Sequence, residues 1–473
     1  VLIRSYRVHS LLVSNVTDAL MNVYSNILDM VGKTPMLEVT HIDTGPCRLF
    51  LKLELMNPGG SIKDRIGISM IEEAEKRGDI KPGDTLVEAT AGNTGIGLAL
   101  VAAQKGYSLI LVLPDKMSQE KIFNLRAMGA EVILTRSDVG RGHPEYYQDV
   151  GQRIATEKGA YFINQFGNPD NPLAHEQSTA PEIVEQIGGD LDAIVLGVGS
   201  SGTVAGIGKY LQENAPDVDL IVADPVGSVL TDYINNGEMG EPGSWLVEGI
   251  GEDFIPSIAD FSQVAKAYAI SDAESFAAAR ELLRQEGVLA GSSSGTLLAA
   301  ALKYCHEQTE AKTVVTFACD TGNKYLSKLF NDFWMEDQGF IEREHFGDLR
   351  DLVGRLHSEH ATITVGPTDV LTTAHNRLRN AGFSQLPVMH AGELLGVVTE
   401  DAIMQFVYGK PQLMNAPVAD AMESAFIKLD RSESMNNLVA MLRVQPYAAI
   451  LDGDEFLGLI TRSDVLNYLR RQM

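Results

Sequence analysis

The chain is poor in cysteine: Cys47, Cys305 and Cys319 are its only three in 473 residues. They are far apart, odd in number and without CxxC spacing, so neither a disulfide framework nor a zinc site follows, and no metal is expected. A reducing cytoplasm is the setting this implies. Positive charge is scarce too: 38 Lys and Arg stand against 63 Asp and Glu, a formal net charge of −25. There is no Lys/Arg-rich run, so nucleic acid is not an expected partner. The acidic balance suits a soluble protein with small-molecule ligands. No apolar run approaches the length of a membrane span, so no membrane partner is expected. The opening VLIRSYRVHSLLVSNV is too short and mixed in its apolar stretch for a signal peptide. Residues 1–22 are expected to be a tail, a tag or an extension, with no function assigned.

What the chain does have is glycine, 44 residues of it, much of it in short loops between apolar runs. From residue 23 to 330, Val/Ile/Leu-rich segments alternate with helical patterns. They include TLVEA (85–89), SLILVLP (108–114), EVILT (131–135), DAIVLGV (192–198), LIVAD (220–224) and KTVVTFA (312–318). Such alternation predicts an α/β fold, a parallel sheet covered on both faces. Around 331–345 charge rises and periodicity fades, which reads as a linker. Residues 346–473 contain an internal repeat: GFSQLPVMHAGELLGVVTEDAI (382–403) matches QPYAAILDGDEFLGLITRSDVL (445–466), with Gly396 and Gly458 62 residues apart. Two such copies predict a pair of small α/β modules that bury a shared face.

Four glycine loops, the first of them bearing a lysine, carry the chemistry. In NPGGSIKDRIG (57–67) a turn precedes a helix, Ser61 can cap it, and Lys63 falls near the positive end of its dipole. That position favours a free amine, which Schiff-base chemistry needs; an exposed lysine at a helix start has the same pattern. The loop EATAGNTGIGLA (88–99) offers helix-start amides, with Asn93 and Thr94 as further donors, for a carboxylate; a simple tight turn would look alike. The loop GVGSSGT (197–203) is a phosphate cup. It also satisfies G-x-G-x-x-G, with Asp224 at the end of the next strand, so an NAD-linked oxidoreductase stays open on this loop alone. In LAGSSSGT (289–296), Ser292 is a helix cap or a functional hydroxyl.

Taken in order, Ser61 to Arg65, Thr90 to Gly95, Gly199 to Thr203 and Ala290 to Gly295 resemble the cystathionine β-synthase/cysteine synthase family. These are fold-type-II enzymes that use pyridoxal 5′-phosphate (PLP). The stretches QFGNPDNPLAH (165–175) and VEGIGEDFIP (247–256) look like the same family. The resemblance covers residues 23–330 and implies a core of two α/β subdomains. It implies that Lys63 carries the cofactor, that Gly199, Ser200, Ser201, Gly202 and Thr203 hold its phosphate, that Asn93 meets its ring oxygen and that Ser292 faces its ring nitrogen. It implies that Thr90, Ala91, Gly92, Thr94, Gln165 and Gly249 surround the amino-acid substrate. The repeat looks like a tandem pair of CBS modules, a combination found with the cystathionine β-synthase branch. The implied reaction is β-replacement: serine or O-acetylserine condensed with homocysteine, with hydrogen sulfide release from cysteine as a side activity. Cysteine synthesis from O-acetylserine with a nucleotide-sensing tail is the alternative within the family. A homodimer or larger homo-oligomer is implied as well.

Some positions depart from the family. Ala91 replaces a serine usual there, which is expected to alter substrate affinity. Phe166 and Glu252 stand where animal members carry tyrosine; Glu252 either pairs with the ammonium of the incoming thiol or is a solvated surface residue. No Cys/His pair resembles the haem-binding segment of the animal enzymes, so haem is not expected. In the second repeat Thr461 and Asp464 form the T-x-x-D that resembles a ribose contact, whereas the first repeat has Thr399 with Ala402. With Phe383 and Gln385 they imply one site for an adenosyl ligand, S-adenosylmethionine or AMP/ATP, or else a degenerate dimerisation module.

Overall fold

The computed structural model describes residues 23–471 apart from 91, 116, 118, 141 and 358–361. The expectations for the first 22 residues and for Ala91 lie outside the described residues. The chain forms two compact units, one ending at Phe330 and the other beginning at Asn331.

The first unit carries two sheets. One is four-stranded and wholly parallel, built from β3 (Thr85–Ala89), β4 (Ser108–Pro114), β5 (Glu131–Thr135) and β6 (Tyr161–Phe162) in the order β5-β4-β3-β6. The other has six strands: β1 (Met36–Glu38), β2 (Arg48–Lys52), β7 (Ala193–Gly197), β8 (Asp219–Pro225), β9 (Val264–Ile270) and β10 (Thr313–Phe317). Their order is β1-β2-β10-β7-β8-β9, and only β1 runs antiparallel to its neighbour. The Val/Ile/Leu runs of β4, β7 and β10 are almost entirely buried, as strands covered by helices on both faces must be. The sequence pattern did not reveal β1, β2, β6 and β9, which are short, or partly exposed and mixed in composition.

Four helices start at the functional loops: α1 (Lys63–Arg77), α2 (Asn93–Lys105), α3 (Gly202–Asn214) and α4 (Ser292–His306). Helix α1 ends at Gly78, whose φ of 78° forms the left-handed cap. A Cβ on Gly97 would lie 2.6 Å from the Lys63 carbonyl oxygen, so α2 passes against the first turn of α1 only because Gly97 has no side chain. That contact fixes the head of α1 relative to the loop before α2. Ile66, Met70, Leu86, Leu98 and Leu111 are fully buried in one cluster beneath it.

In the second unit the repeat is structural. Strands β11 (Gln385–His390) and β12 (Glu393–Thr399) pair antiparallel, and so do β14 (Tyr447–Asp452) and β15 (Glu455–Thr461), with β13 (Lys428–Asp430) beside β14. Both hairpins break register at the same place, just after the Val388↔Gly396 and Ile450↔Gly458 pairs. A Cβ on Gly458 would overlap Val353, so this glycine admits the strand's neighbour. The segment expected as a linker differs from that expectation. It contains a helix, Asp332–Asp337, and it folds as part of the second unit. Met335, buried in that helix, is an apolar anchor that charge and periodicity alone did not reveal.

Candidate active site

The site gathers at the carboxyl ends of the strands, where open α/β sheets hold ligands. Lys63 is the first residue of α1, and its backbone N–H donates to Ser61 Oγ at 3.2 Å. Asp64 turns back and accepts from the Gly59 N–H at 2.5 Å, which pins the turn. The Lys63 amine faces a small cavity of about 30 Å³ shared with Asn93, Gly199, Thr203 and Cys319. Burial pushes the amine's pKa below its ordinary value, against the pull of the Cys319, Glu252 and Asp320 groups. A lysine so placed gives up its proton more readily than one in water.

The loop before α2 is held from several sides. Gly92 has φ 127°, and a Cβ there would lie 2.7 Å from Lys121 Cδ. Its N–H donates to Thr90 Oγ1 at 3.2 Å. Thr94 Oγ1 donates to Gln165 Oε1 at 2.7 Å, and Gln165 Nε2 donates to the Ala89 carbonyl. Asn93 is oriented by charge. Lys324 Nζ, which can only donate, contacts Asn93 Oδ1 at 3.0 Å, while Asn93 Nδ2 donates to Asp320 Oδ2 at 2.7 Å. The amide cannot flip without facing donor to donor and oxygen to oxygen, so its second N–H is directed by its neighbours. Behind it, Tyr325 donates to Asp320 at 2.7 Å and accepts from Lys121 Nζ at 3.0 Å. Lys121 and Lys328 both donate to Glu248, at 2.7 and 2.6 Å.

The cup before α3 contains Ser201 at φ 70°, a left-handed conformation unusual for a residue with a side chain. Ser201 Oγ is buried and has no hydrogen-bond partner among the described residues. Asn171 Nδ2 donates to Ser200 Oγ at 2.9 Å, and His175 Nε2 lies 3.3 Å from Thr203 Oγ1. His175 is fully buried, and burial holds its pKa well below the ordinary range, so the ring is neutral. A Cβ on Gly202 would fall 1.9 Å from Asn171 Oδ1, and one on Gly199 would fall 2.8 Å from the Gly249 carbonyl. The first N–H groups of α3 therefore open onto a space lined by small residues and an unused hydroxyl, a cradle for a tetrahedral anion.

Ser292 opens α4, and its Oγ accepts the Glu248 N–H at 3.0 Å. With that lone pair engaged, the hydroxyl proton is the group it has to offer. Gly249, at φ 92°, and Glu252 follow Glu248 along the wall of a cleft of about 270 Å³. Thr90, Asn93, Gln165 and Phe166 share that cleft. Burial lowers the Lys63 pKa and raises that of Tyr147 well above its ordinary value; the Glu252 charge opposes the first shift and adds to the second. The predicted residues of the first unit that are described thus converge. Sequence reasoning missed Lys121, Asn171, His175, Glu248, Asp320, Lys324 and Tyr325. Only Asn171, His175 and Glu248 fall in stretches noted as family-like.

Asp224, the acid that a dinucleotide reading needs, is engaged by another segment. It is fully buried, and its Oδ2 accepts from the Thr231 N–H and Oγ1 at 2.9 Å each, tying down the helix Leu230–Asn236.

In the second unit Phe383, Gln385, Thr461 and Asp464 all line one cavity of about 610 Å³. Asp464 Oδ2 accepts from the Thr461 N–H at 2.7 Å and hydroxyl at 2.6 Å. In the first repeat Thr399 instead accepts from the Ala402 N–H and donates to Glu423. Arg355 and Phe333, neither of them foreseen, line the same cavity.

Residues 27–320 match the family described as pyridoxal-phosphate dependent enzyme, and 353–409 and 418–471 each match the CBS domain. The cystathionine beta-synthase of Dictyostelium discoideum is 36% identical over 466 residues, covering 95% of this chain and 93% of its own. That of Saccharomyces cerevisiae is 35% identical, covering 94% and 97%. Among solved structures, the O-acetylserine dependent cystathionine beta-synthase from Helicobacter pylori has 41% identity and a TM-score of 0.60. It covers 65% of this chain and 99% of its own. A hydrogen sulfide-producing enzyme from Fusobacterium nucleatum has 36% identity and a TM-score of 0.59, covering 64% and 100%.

Proposed function

Because this chain belongs to the pyridoxal-phosphate dependent enzymes, and within them to the cystathionine beta-synthase family, we propose that it condenses serine or O-acetylserine with homocysteine to give cystathionine. It is a PLP-dependent lyase, and the dinucleotide reading is set aside. One observation carries the reading: a buried lysine amine with a depressed pKa opens a helix in the same space as an anion cradle.

The residues fit the cofactor. The Ser201 hydroxyl, without a hydrogen-bond partner among the described residues, and Gly199, Ser200, Gly202, Thr203 and the first amides of α3 suit a phosphate. The directed N–H of Asn93 suits a ring oxygen, and the free proton of Ser292 suits a ring nitrogen. When bound, the cofactor withdraws electrons from the amino acid's α-carbon, which makes the α-proton acidic and lets the β-substituent leave.

The chain's own groups do the rest. Thr90, Gly92, Thr94 and Gln165 bind the substrate carboxylate through hydroxyl, amide and backbone donors. The Lys63 amine takes the α-proton and later returns it, a task its lowered pKa suits. Serine at position 292 offers a neutral hydrogen bond and no full charge, which favours elimination and re-addition over transamination. The Glu252 carboxylate binds the ammonium of the incoming thiol amino acid. With cysteine as donor, the same cycle releases hydrogen sulfide. The second cavity is read as an adenosyl-ligand site, and the protein as a homodimer, which light scattering checks.

The test is a titration of the visible absorbance of the purified, PLP-loaded protein. A band that shifts on adding serine and returns on adding homocysteine supports the reading. A shift with O-acetylserine alone moves the donor assignment to the acetylated amino acid, as in the Helicobacter pylori relative. Absence of any visible band after incubation with PLP refutes the cofactor assignment.

A further inference from the structure

Lys121 is the third residue of the helix Gln119–Ala127 and lines the 270 Å³ cleft, yet it is only 1% exposed. Taking an ammonium out of water is costly, so stability alone is a poor reason to keep one buried. Its partners are not local. Nζ donates to Glu248 Oε2 at 2.7 Å and to the Tyr325 hydroxyl at 3.0 Å, groups 127 and 204 positions away in the chain.

Each partner leads to one end of the cofactor site. Tyr325 donates to Asp320 Oδ2 at 2.7 Å, and the same oxygen accepts from Asn93 Nδ2 at 2.7 Å. Burial, joined by the Asp320 and Glu248 charges, raises the Tyr325 pKa well above its ordinary value, so the hydroxyl keeps the proton it donates. On the other side, Glu248 is held twice, since Lys328 donates to its Oε1 at 2.6 Å. Burial would raise the Glu248 pKa, but the Lys121 and Lys328 charges outweigh it and hold the carboxyl below its ordinary value. The backbone N–H of this pinned residue donates to Ser292 Oγ at 3.0 Å. A third tie is steric. A Cβ on Gly92 would lie 2.7 Å from Lys121 Cδ, so the loop before α2 rests directly on the stem of this side chain.

We propose that Lys121 is a positioning residue for the β-replacement, one strut that holds the Asn93 contact, the Ser292 contact and the substrate-carboxylate loop in fixed relation. The proposal rests on the reading of Asn93 and Ser292 as cofactor contacts and of the 90–94 loop as the carboxylate site. The ammonium head acts on the two cofactor contacts through hydrogen bonds, and the stem acts on the loop through packing. Substitution separates these tasks. Tyr325→Phe cuts only the link toward Asn93. Lys121→Met removes the head and keeps a stem of similar length. Lys121→Ala removes both.

The test compares these variants as full-length, PLP-loaded enzymes, by visible absorbance against pH and by initial rates with whichever donor shifts the wild-type band. In Lys121→Met the band is expected to move, the pH at which it titrates to change by about half a unit or more, and kcat to fall roughly tenfold, with the donor KM within about twofold of wild type. Tyr325→Phe should move the band in the same direction by less. Lys121→Ala should add a rise of about fivefold or more in donor KM. Combining Tyr325→Phe with Lys121→Met should cost no more than about twofold in kcat beyond Lys121→Met alone, because the two act along one path. A Lys121→Met enzyme that is less stable but keeps the wild-type band and its pH profile overturns the proposal, as does a double variant whose losses simply multiply. A wild-type protein without a visible band overturns the cofactor reading and this proposal together. If neither Lys121 variant folds, Tyr325→Phe decides, and an unmoved band there overturns the proposal.

Discussion

Glu88 lies in the middle of the site's support and is expected to be uncharged at neutral pH. It is the fourth residue of β3, fully buried, with Oε1 lacking a hydrogen-bond partner among the described residues and Oε2 accepting the Gln165 N–H at 3.3 Å. Burial raises its pKa to about 8, although hydrogen bonds from Gln165 and nearby backbone oppose the rise. The folded state thus holds a proton that the unfolded chain releases near pH 4.5. For a carboxyl raised in this way, the stabilisation is complete below the unfolded pKa and declines as pH rises through the window up to about 8. The slope is about 1.4 kcal/mol per pH unit for one proton. Glu88→Gln keeps the shape and removes the proton, so its profile lacks this slope. Between pH 6 and 8 the wild type should lose about 2 kcal/mol more than the variant, or about 4 °C in the catalytic unit's calorimetric transition. Infrared difference spectra give a direct check: a protonated carboxyl C=O band should vanish near pH 8 in the wild type and be missing in Glu88→Gln. The function should follow the charge. Gln165 bonds both Glu88 and Thr94, so with the proposed carboxylate-binding role of that loop the KM for the donor amino acid should rise above pH 8 in the wild type only. Stability profiles that run parallel from pH 6 to 9 would refute the reasoning.

Glu252→Gln should raise the KM for homocysteine about fivefold to tenfold and leave the KM for serine and for sulfide unchanged, since only homocysteine brings an ammonium to that wall. Initial rates with the two nucleophiles separate this from a general loss. Lys324→Met removes the charge that fixes the Asn93 amide. The cofactor should stay bound, its visible band should shift, and kcat should fall roughly tenfold, with an unchanged spectrum counting against the orienting role. Gly202→Ala sets a methyl 1.9 Å from Asn171 Oδ1. It should weaken PLP retention on dialysis and cost about 1–3 kcal/mol of stability through overpacking.

The parts of the site that a sequence reveals are those whose chemistry is local. Lys63, Asn93, Ser201 and Ser292 each stand at or beside the first turn of a helix that follows a glycine loop, so a run of about ten residues specifies both the turn and the functional group. The strands β4 and β7 were legible for a similar reason: burial on both faces demands nearly unbroken apolar runs. The groups that orient these residues were not legible, because the fold supplies them from a distance. Asp320 lies 227 positions from Asn93 and Lys324 lies 231 positions away, and nothing local marks either as a partner. The same holds in the second unit. Thr461 and Asp464 are three residues apart and bond to each other, so their motif is compact. The contact of Arg355 with the rings of Phe333 and Phe383 instead joins three separate segments, one of them taken for a linker. Local motifs thus mark where a turn and a hydroxyl come together. The groups that orient those hydroxyls and amides come from long-range pairing, which can be read only when the partners are in place.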